Sequence, residues 1–405
     1  SEGGDGTWAS GPVGVEELVI VHHPSQHRIY MRKLALILST VALLALSSAA
    51  RAASLSAVQQ HYLSLAYGGV ARAEQRFKDR HLGWYDARLH DHDRYPLATI
   101  WDIVPLFGSL DAIAIAQPTQ ANRRAVARFA TGAERYLNRG LRPVPGYSPY
   151  PGDRDRETET WFDDNGWWGL AFINAYRATG TRRWLTDAQR ALTYIAAAGW
   201  DPQAGGIWWN TSHPYKAGEA LASDTLLATL LYQQTRSPFA LGQARKFLAW
   251  ANTAGFSSTD GLYAGSSLNS TPIDYIEGPL IYAQALLCRE TSTPSGCERT
   301  EQLKATALRR FGHTLDFSPQ YDAIYLQWML ALYALDHDSV LYTLAIDNAH
   351  DAQTRARNSE GLYLLSWNGE TLPPQNALPG MLQTQAATTS LFAWLAVYPP
   401  PGPRV

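Results

Sequence analysis

From Leu55 onward, apolar residues return every three or four positions instead of every second one. That is the spacing of helices that bury one stripe against a neighbour. It predicts twelve helices: Leu55–Phe77, Pro96–Ala116, Thr119–Asn138, Asp163–Ala178, Arg182–Ala198, Gly218–Thr235, Pro238–Thr253, Asp274–Thr291, Glu298–Gly312, Tyr321–Asp336, Asp338–Arg357 and Gln383–Val397, with almost no strand. Three of these end alike, at Thr179, Thr235 and Thr291, and successive threonines lie 56 residues apart. A unit of that length holds two helices, so the pattern is an array of helical hairpins. Six such units of roughly 59 residues fill residues 53–405 as a single domain.

The connections indicate the architecture. Links after even-numbered helices are short, such as Gln117–Pro118, Thr179–Thr181 and Arg236–Ser237. Links after odd-numbered helices are mostly long: Lys78–Tyr95, Arg139–Phe162, Gly199–Ala217, Ala254–Ile273 and Asn358–Leu382, with His313–Gln320 the exception. Long loops in a compact domain are usually functional. Their alternation with short ones gathers them on one face of an all-α ring, an (α/α)6 toroid of six hairpins with the even-numbered helices inside. An open solenoid is the alternative, but it gives no reason for long loops on one side only.

Residues before this domain follow another logic. Met31-Arg32-Lys33, an apolar run Leu34–Leu46 and Ala50-Arg51-Ala52 have the three parts of a secretory signal, expected over residues 31–52. The run is too short to span a bilayer, and no later segment has the apolar length for a membrane span. Residues 1–30 are expected to be an unstructured upstream extension. The expected location is secreted or periplasmic. Cys288 and Cys297, nine positions apart, are then expected to close a small disulfide loop, with no second ligand pair nearby for zinc.

Composition narrows the chemistry. The 405 residues carry a formal net charge of −2, which gives no electrostatic footprint for nucleic acid, and the 46% apolar content excludes a largely disordered chain. The excess is aromatic, with 14 Trp and 21 Tyr against 3 Met. Several cluster with acids on the long-loop side: Trp161-Phe162-Asp163-Asp164-Asn165-Gly166-Trp167-Trp168, then Trp208-Trp209-Asn210 with His213 and Lys216, then Glu219 and Asp224, then Asp274-Tyr275 and Glu277. Aromatic faces stack on pyranose rings and carboxylates bond their hydroxyls, so this mixture suits a polysaccharide or oligosaccharide substrate.

Asp163 and Asp164 are the strongest signal. Adjacent carboxylates repel, which raises the proton affinity of one, and glycoside cleavage needs one ionised and one protonated carboxyl. The blander reading makes Asp163 a helix N-cap and Asp164 a dipole-favoured acid. Trp208 and Trp209 form either a stacking platform or a plug. Asp274 and Glu277 either cap an inner helix or bind hydroxyls, His213 reads as a loop hydrogen-bonder, and Trp101 with Asp102 offers one further wall. The chain has no Gly-x-Ser-x-Gly elbow, no His-Glu-x-x-His, no phosphate-binding glycine loop and no dinucleotide fingerprint. No metal or organic cofactor is expected.

Taken together, Phe162-Asp163-Asp164-Asn165-Gly166-Trp167-Trp168, Gly205-Gly206-Ile207-Trp208-Trp209 and Lys216 resemble the motifs of glycoside hydrolase family 76, the endo-α-1,6-mannanases. The resemblance covers Leu55 to Val397. It implies an (α/α)6 barrel and a retaining mechanism, with Asp163 as nucleophile and Asp164 as acid/base. Two stretches depart from the family: Asp274-Tyr275-Ile276-Glu277-Gly278 stands where Thr-Tyr-Asn-Gln-Gly is usual, and Ala264-Gly265 where Asp-Gly often follows. Two other classes fit the same barrel. A sugar epimerase would use inner-helix histidines, which the predicted even-numbered helices lack, and a lyase would need a basic groove. A non-catalytic glycan-binding protein would keep the groove without turnover.

Overall fold

The computed structural model describes residues 54–89, 97–369 and 380–402. The proposed extension, the proposed signal and the predicted helix start at Pro96 lie outside them. Twelve α-helices account for most of the described chain: α1 (Ala57–Phe77), α2 (Ile100–Ala116), α3 (Gln120–Ala133), α4 (Phe162–Thr179), α5 (Arg183–Tyr194), α6 (Gly218–Thr235), α7 (Pro238–Ala251), α8 (Asp274–Thr291), α9 (Pro294–Phe311), α10 (Pro319–Asp336), α11 (Ser339–Arg355) and α12 (Leu382–Val397). Two small antiparallel ribbons, β1 (Lys78–Asp79) with β2 (Trp84–Tyr85) and β3 (Leu137–Asn138) with β4 (Gly146–Tyr147), sit in the loops.

The even-numbered helices form a closed inner ring. α2 packs on α4, α4 on α6, α6 on α8, α8 on α10, α10 on α12, and α12 returns to α2. That last contact excludes the open solenoid. Inner helices are covered on every side, which needs residues tolerant of burial all round. All of Leu382–Ala396 is buried in α12. Outer helices show one buried stripe; in α3 it is Val126, Phe129, Ala130 and Ala133. The fold is therefore the (α/α)6 toroid expected from the loop alternation.

The matching threonines have a structural cause. Each hydroxyl donates to the carbonyl four residues back, Thr179 to Ala175 (2.7 Å), Thr235 to Leu231 (2.6 Å) and Thr291 to Leu287 (2.7 Å). The next residue, Gly180, Arg236 or Ser292, is left-handed and closes the inner helix before the short turn. Cys288 and Cys297 are bonded, with Cα atoms 5.3 Å apart, and tie the end of α8 to the start of α9. A loop this short contributes about 2–3 kcal/mol in the chain-entropy account.

Four boundaries differ from the periodicity by four or more residues; the second helix starts at Ile100, where Thr99 caps it, and not at Pro96. α3 stops at Ala133, because Tyr136 turns inward to donate its hydroxyl to Ala98 O and Leu137–Asn138 pairs with Gly146–Tyr147. α5 loosens into a π-turn, Ile195–Gly199, where the Phe162 ring packs against Gly199. α9 begins at Pro294, ahead of the expected Glu298, because a proline is favourable at a helix start.

The first and last helices of the described residues pack on one another. Gln59 Nε2 of α1 donates to Ala396 O at 2.9 Å, and Gln385 Nε2 of α12 donates to Gly69 O at 3.3 Å. A Cβ on Gly69 would fall 2.2 Å from Thr389 Oγ1, whereas one on neighbouring Gly68 meets nothing within 4 Å. Adjacent alanine substitutions should thus have opposite signs. Gly69→Ala is expected to cost about 1–2 kcal/mol by overpacking, and Gly68→Ala to gain up to about 1 kcal/mol from helix propensity. Urea unfolding of the two variants checks this, and equal shifts would refute the close α1–α12 seam.

Candidate active site

Long loops and the N-termini of the inner helices share one face, and a cleft of about 260 Å³ opens there. Five inner helices contribute from their cap or first turns: Thr99 and Trp101 (α2), Trp161, Asp163 and Asp164 (α4), Glu219 (α6), Tyr275 (α8) and Tyr321 (α10). Pro149, Tyr150 and Trp209 join them from loops. Side chains lean toward a helix's N-terminus, so a ring of inner helices directs its first-turn residues into one space. Thr99 caps α2 together with Asp102, but α4, α6, α8 and α10 begin without a side-chain cap. Their positive ends therefore act on the cleft carboxylates.

Two aromatic groups line the space. Tyr275 and Tyr321 lie with ring centroids 4.5 Å apart, and Trp101 packs on both at 6.3 and 5.8 Å. Trp167 backs this group, stacked on Tyr275 at 6.4 Å. In the second group Trp161 meets Trp209 edge-on at 6.0 Å, and Trp209 stacks on Tyr215 at 5.3 Å.

The acids are held under electrostatic tension. Burial raises the Asp163 carboxyl well above its ordinary range, and Asp164 and Glu219 add to the effect, while first-turn amides pull the other way. Burial, then the charge of Asp102, pushes Asp164 up to about 8. Burial takes Glu219 to about 7. Asp224, fully buried one turn further along α6, is raised by burial and then by Asp163; Ser223 donates to it at 3.2 Å. Asp163 Oδ1 makes no hydrogen bond. Gly166 permits this approach of α4 to α6, since a Cβ there would fall 2.2 Å from Asp224 Oδ1. Among the described residues, no group of three His, Cys, Asp or Glu is arranged to hold a metal ion.

Of the residues singled out in the sequence, Asp163, Asp164, Trp101, Trp161, Trp209, Glu219 and Tyr275 line the cleft. Phe162 is fully buried on Tyr194. Trp168 is core, packed on Phe107, Tyr136 and Phe172. Asn165 accepts from Tyr147 N at 2.9 Å and donates to Tyr147 O and Trp161 O at 3.0 Å, pinning the α3–α4 loop. Asn210 is buried, accepts from Ser212 N at 3.0 Å, and bridges Trp161 through its backbone. Glu277 accepts from Tyr263 N at 2.9 Å. Asp274 accepts from Tyr275 N at 2.7 Å and shares a hydrogen bond with Asp322. Lys216 corrects an expectation of sugar contact: it is buried, pairs with Asp201 at 2.7 Å, and sits 3.0 Å above the Trp208 ring, whose other partner is His213. These contacts and Gly205-Gly206, both at positive φ against Trp250, brace the loop that presents Trp209.

A family model described as glycosyl hydrolase family 76 matches residues 141–391, more than half of the chain. The chain belongs to this family. It is therefore a glycoside hydrolase. Among solved structures, a family 76 alpha-mannanase of Bacteroides thetaiotaomicron superposes with a TM-score of 0.74 at 17% identity, covering 83% of this chain and 95% of that one. An inactive variant of the alpha-1,6-mannanase of Salegentibacter sp. HEL1_6, with two adjacent aspartates replaced by asparagine and alpha-1,6-mannotriose bound, gives 0.66 at 16% identity over 83% and 99%. A D-mannose isomerase gives 0.61 at 11% over 84% and 99%. At these identities the likeness concerns the fold. No curated protein matches in sequence.

Sequence reasoning placed Glu219 among the acids of the long-loop side without an individual role, and gave no site role to Tyr321, Thr99, Pro149 or Tyr150. Glu219 and Tyr321 carried a usable signal, because both lie in the first turn of an inner helix. Pro149 and Tyr150 come from a loop outside every motif.

The raised carboxyls have a consequence for stability. A carboxyl whose pKa is higher folded than unfolded binds more protons in the native state, so stability falls as pH rises from about 4 through the folded values. With Glu219 at about 7 and Asp164 at about 8, the melting temperature is expected to fall between pH 5 and pH 8. Asp224→Asn should flatten part of that slope. A melting temperature that rises over this range would contradict the assignment.

Proposed function

We propose that the protein is an exported, retaining endo-α-1,6-mannanase. Asp163 attacks the anomeric carbon while Asp164 protonates the departing glycosidic oxygen. Asp164, now a base, then draws a proton from water, which releases the sugar from the glycosyl-enzyme. The observation that carries this reading is the Asp163–Asp164 pair at the unfettered start of α4, in a cleft walled by tryptophans and tyrosines. An acid raised to about 8 holds its proton at neutral pH, as a general acid must. The partner carboxyl, Asp163, lines the same cleft; its Oδ1 is buried without a hydrogen bond, and the first-turn amides favour its ionised form against burial and the charges of Asp164 and Glu219. Neighbouring positions on one helix suit the short carboxyl separation of about 5–5.5 Å in retaining enzymes.

The Salegentibacter mannanase, inactive when two adjacent aspartates are replaced and bound to alpha-1,6-mannotriose, supports both the residue pair and the substrate. No histidine is among the residues lining the cleft, which favours hydrolysis over epimerisation. Export rests on the basic and apolar run near residue 31 and is consistent with the Cys288–Cys297 bond.

Incubation with α-1,6-mannan should release new reducing ends without ultraviolet absorbance, and the first product seen by proton NMR should keep the α configuration. Asp163→Asn is expected to lower turnover by on the order of 10³-fold or more. Full activity in that variant, or a β product, would sink the mechanism. The charge of Glu219 raises Asp163, so Glu219→Gln should move the acidic limb of the kcat/KM–pH profile to lower pH. A limb that stays or moves upward would remove Glu219 from the electrostatics of the pair.

A further inference from the structure

The rim of the cleft is uneven. Loops between outer and inner helices on this face run 22 to 28 residues, except between α9 and α10, where the seven residues Gly312–Ser318 suffice. The chain spends the fewest residues on the rim there. Beyond it lies a second hollow of about 600 Å³, lined by Asn269, Asp274, Arg310, His313, Asp316 and Phe317 among others. It adjoins the cleft along two short stretches of chain. Asp274 faces this hollow while its neighbour Tyr275 lines the cleft, and Phe317 borders it while packing on the cleft residue Tyr321, ring centroids 5.0 Å apart.

Phe317 is also unusual in itself. Leu268 and Phe317, at 77% and 61% exposure, are the two most exposed large apolar side chains among the described residues, and both stand on loops bordering this hollow. Single exposed apolar residues are ordinary on protein surfaces. An exposed ring that continues the Trp101–Tyr321 wall is a different matter, because a flat face beside polar groups suits a pyranose. Polar groups of both kinds surround it. Arg310 is paired with Asp260 at 3.1 Å, and Asp316 accepts from Asn368 Nδ2 at 2.5 Å and from the Ser366 hydroxyl.

We propose that the glycan leaves the cleft over the α9–α10 loop and that Phe317, with the hollow beside it, forms an outer sugar subsite that senses chain length. The inference rests on the mannanase reading above and adds where the polymer runs. Short oligosaccharides that fill only the cleft do not reach Phe317, while a polymer stacks a further sugar on it.

The test compares kcat/KM on α-1,6-mannotriose and on α-1,6-mannan for the wild type, Phe317→Ala and Phe317→Tyr. Truncating one aromatic contact typically costs about five- to tenfold in affinity. Phe317→Ala should therefore lose about that factor on mannan and nothing on the trisaccharide, and Phe317→Tyr should retain the wild-type ratio. The ring is exposed, so all three should melt alike. Equal rates for Phe317→Ala and wild type on mannan, or an equal loss on both substrates, would overturn the subsite while leaving the mannanase reading standing. Wild-type protein inactive on both substrates would overturn that reading and the subsite with it.

Discussion

Everything in this molecule depends on closing the inner ring. Six helices, each too apolar to face water, bury one another only if the last returns to the first. Once they do, their N-termini necessarily crowd one face and their first-turn side chains share one space. The cleft is thus a by-product of a packing solution, and the sequence places chemistry where the geometry leaves room. Contacts within the ring are close enough that single glycines matter: Gly69 admits Thr389, and Gly166 admits Asp224 beneath the acid pair.

The same closure creates the electrostatic problem the site exploits. Asp163, Asp164, Glu219 and Asp224 are gathered where water is scarce, so each resists ionising; Asp164 and Glu219 further raise Asp163, and Asp163 raises Asp224. Isolated, such a cluster is a cost to folding. Uncapped helix ends offset part of it by directing positive ends and amides at the carboxylates. The remaining tension raises the proton affinity of both members of the pair.

Much of the fold was legible because it is written in periodicity. Twelve helices, alternating loop lengths and the 56-residue recurrence of Thr179, Thr235 and Thr291 lead to a hairpin ring without any knowledge of contacts. The acid pair was legible because two adjacent carboxylates open a helix among Trp161, Trp167 and Trp168 behind a long loop. Local motifs misled in one respect. They do not distinguish a residue that touches ligand from one that holds the loop presenting it. Trp168 and Lys216 stand in the same motifs as Asp163 and Trp209, yet one fills the core and the other clamps Trp208 and Asp201. Tyr150 was invisible because its place depends on how a loop lies across the ring, which no local spacing encodes.

The seam between α2 and α12 also ties the start of the fold to its end. Gln383 Nε2 of α12 donates to Trp101 O at 2.8 Å, so the last helix of the chain positions a wall built by the second. A nascent or partly threaded polypeptide can hold Asp163 and Asp164 on a formed α4 and still possess no cleft. Gln383 and Trp101 lie 282 positions apart in sequence, so the wall at Trp101 takes its support from the far end of the chain and has none until α12 is in place.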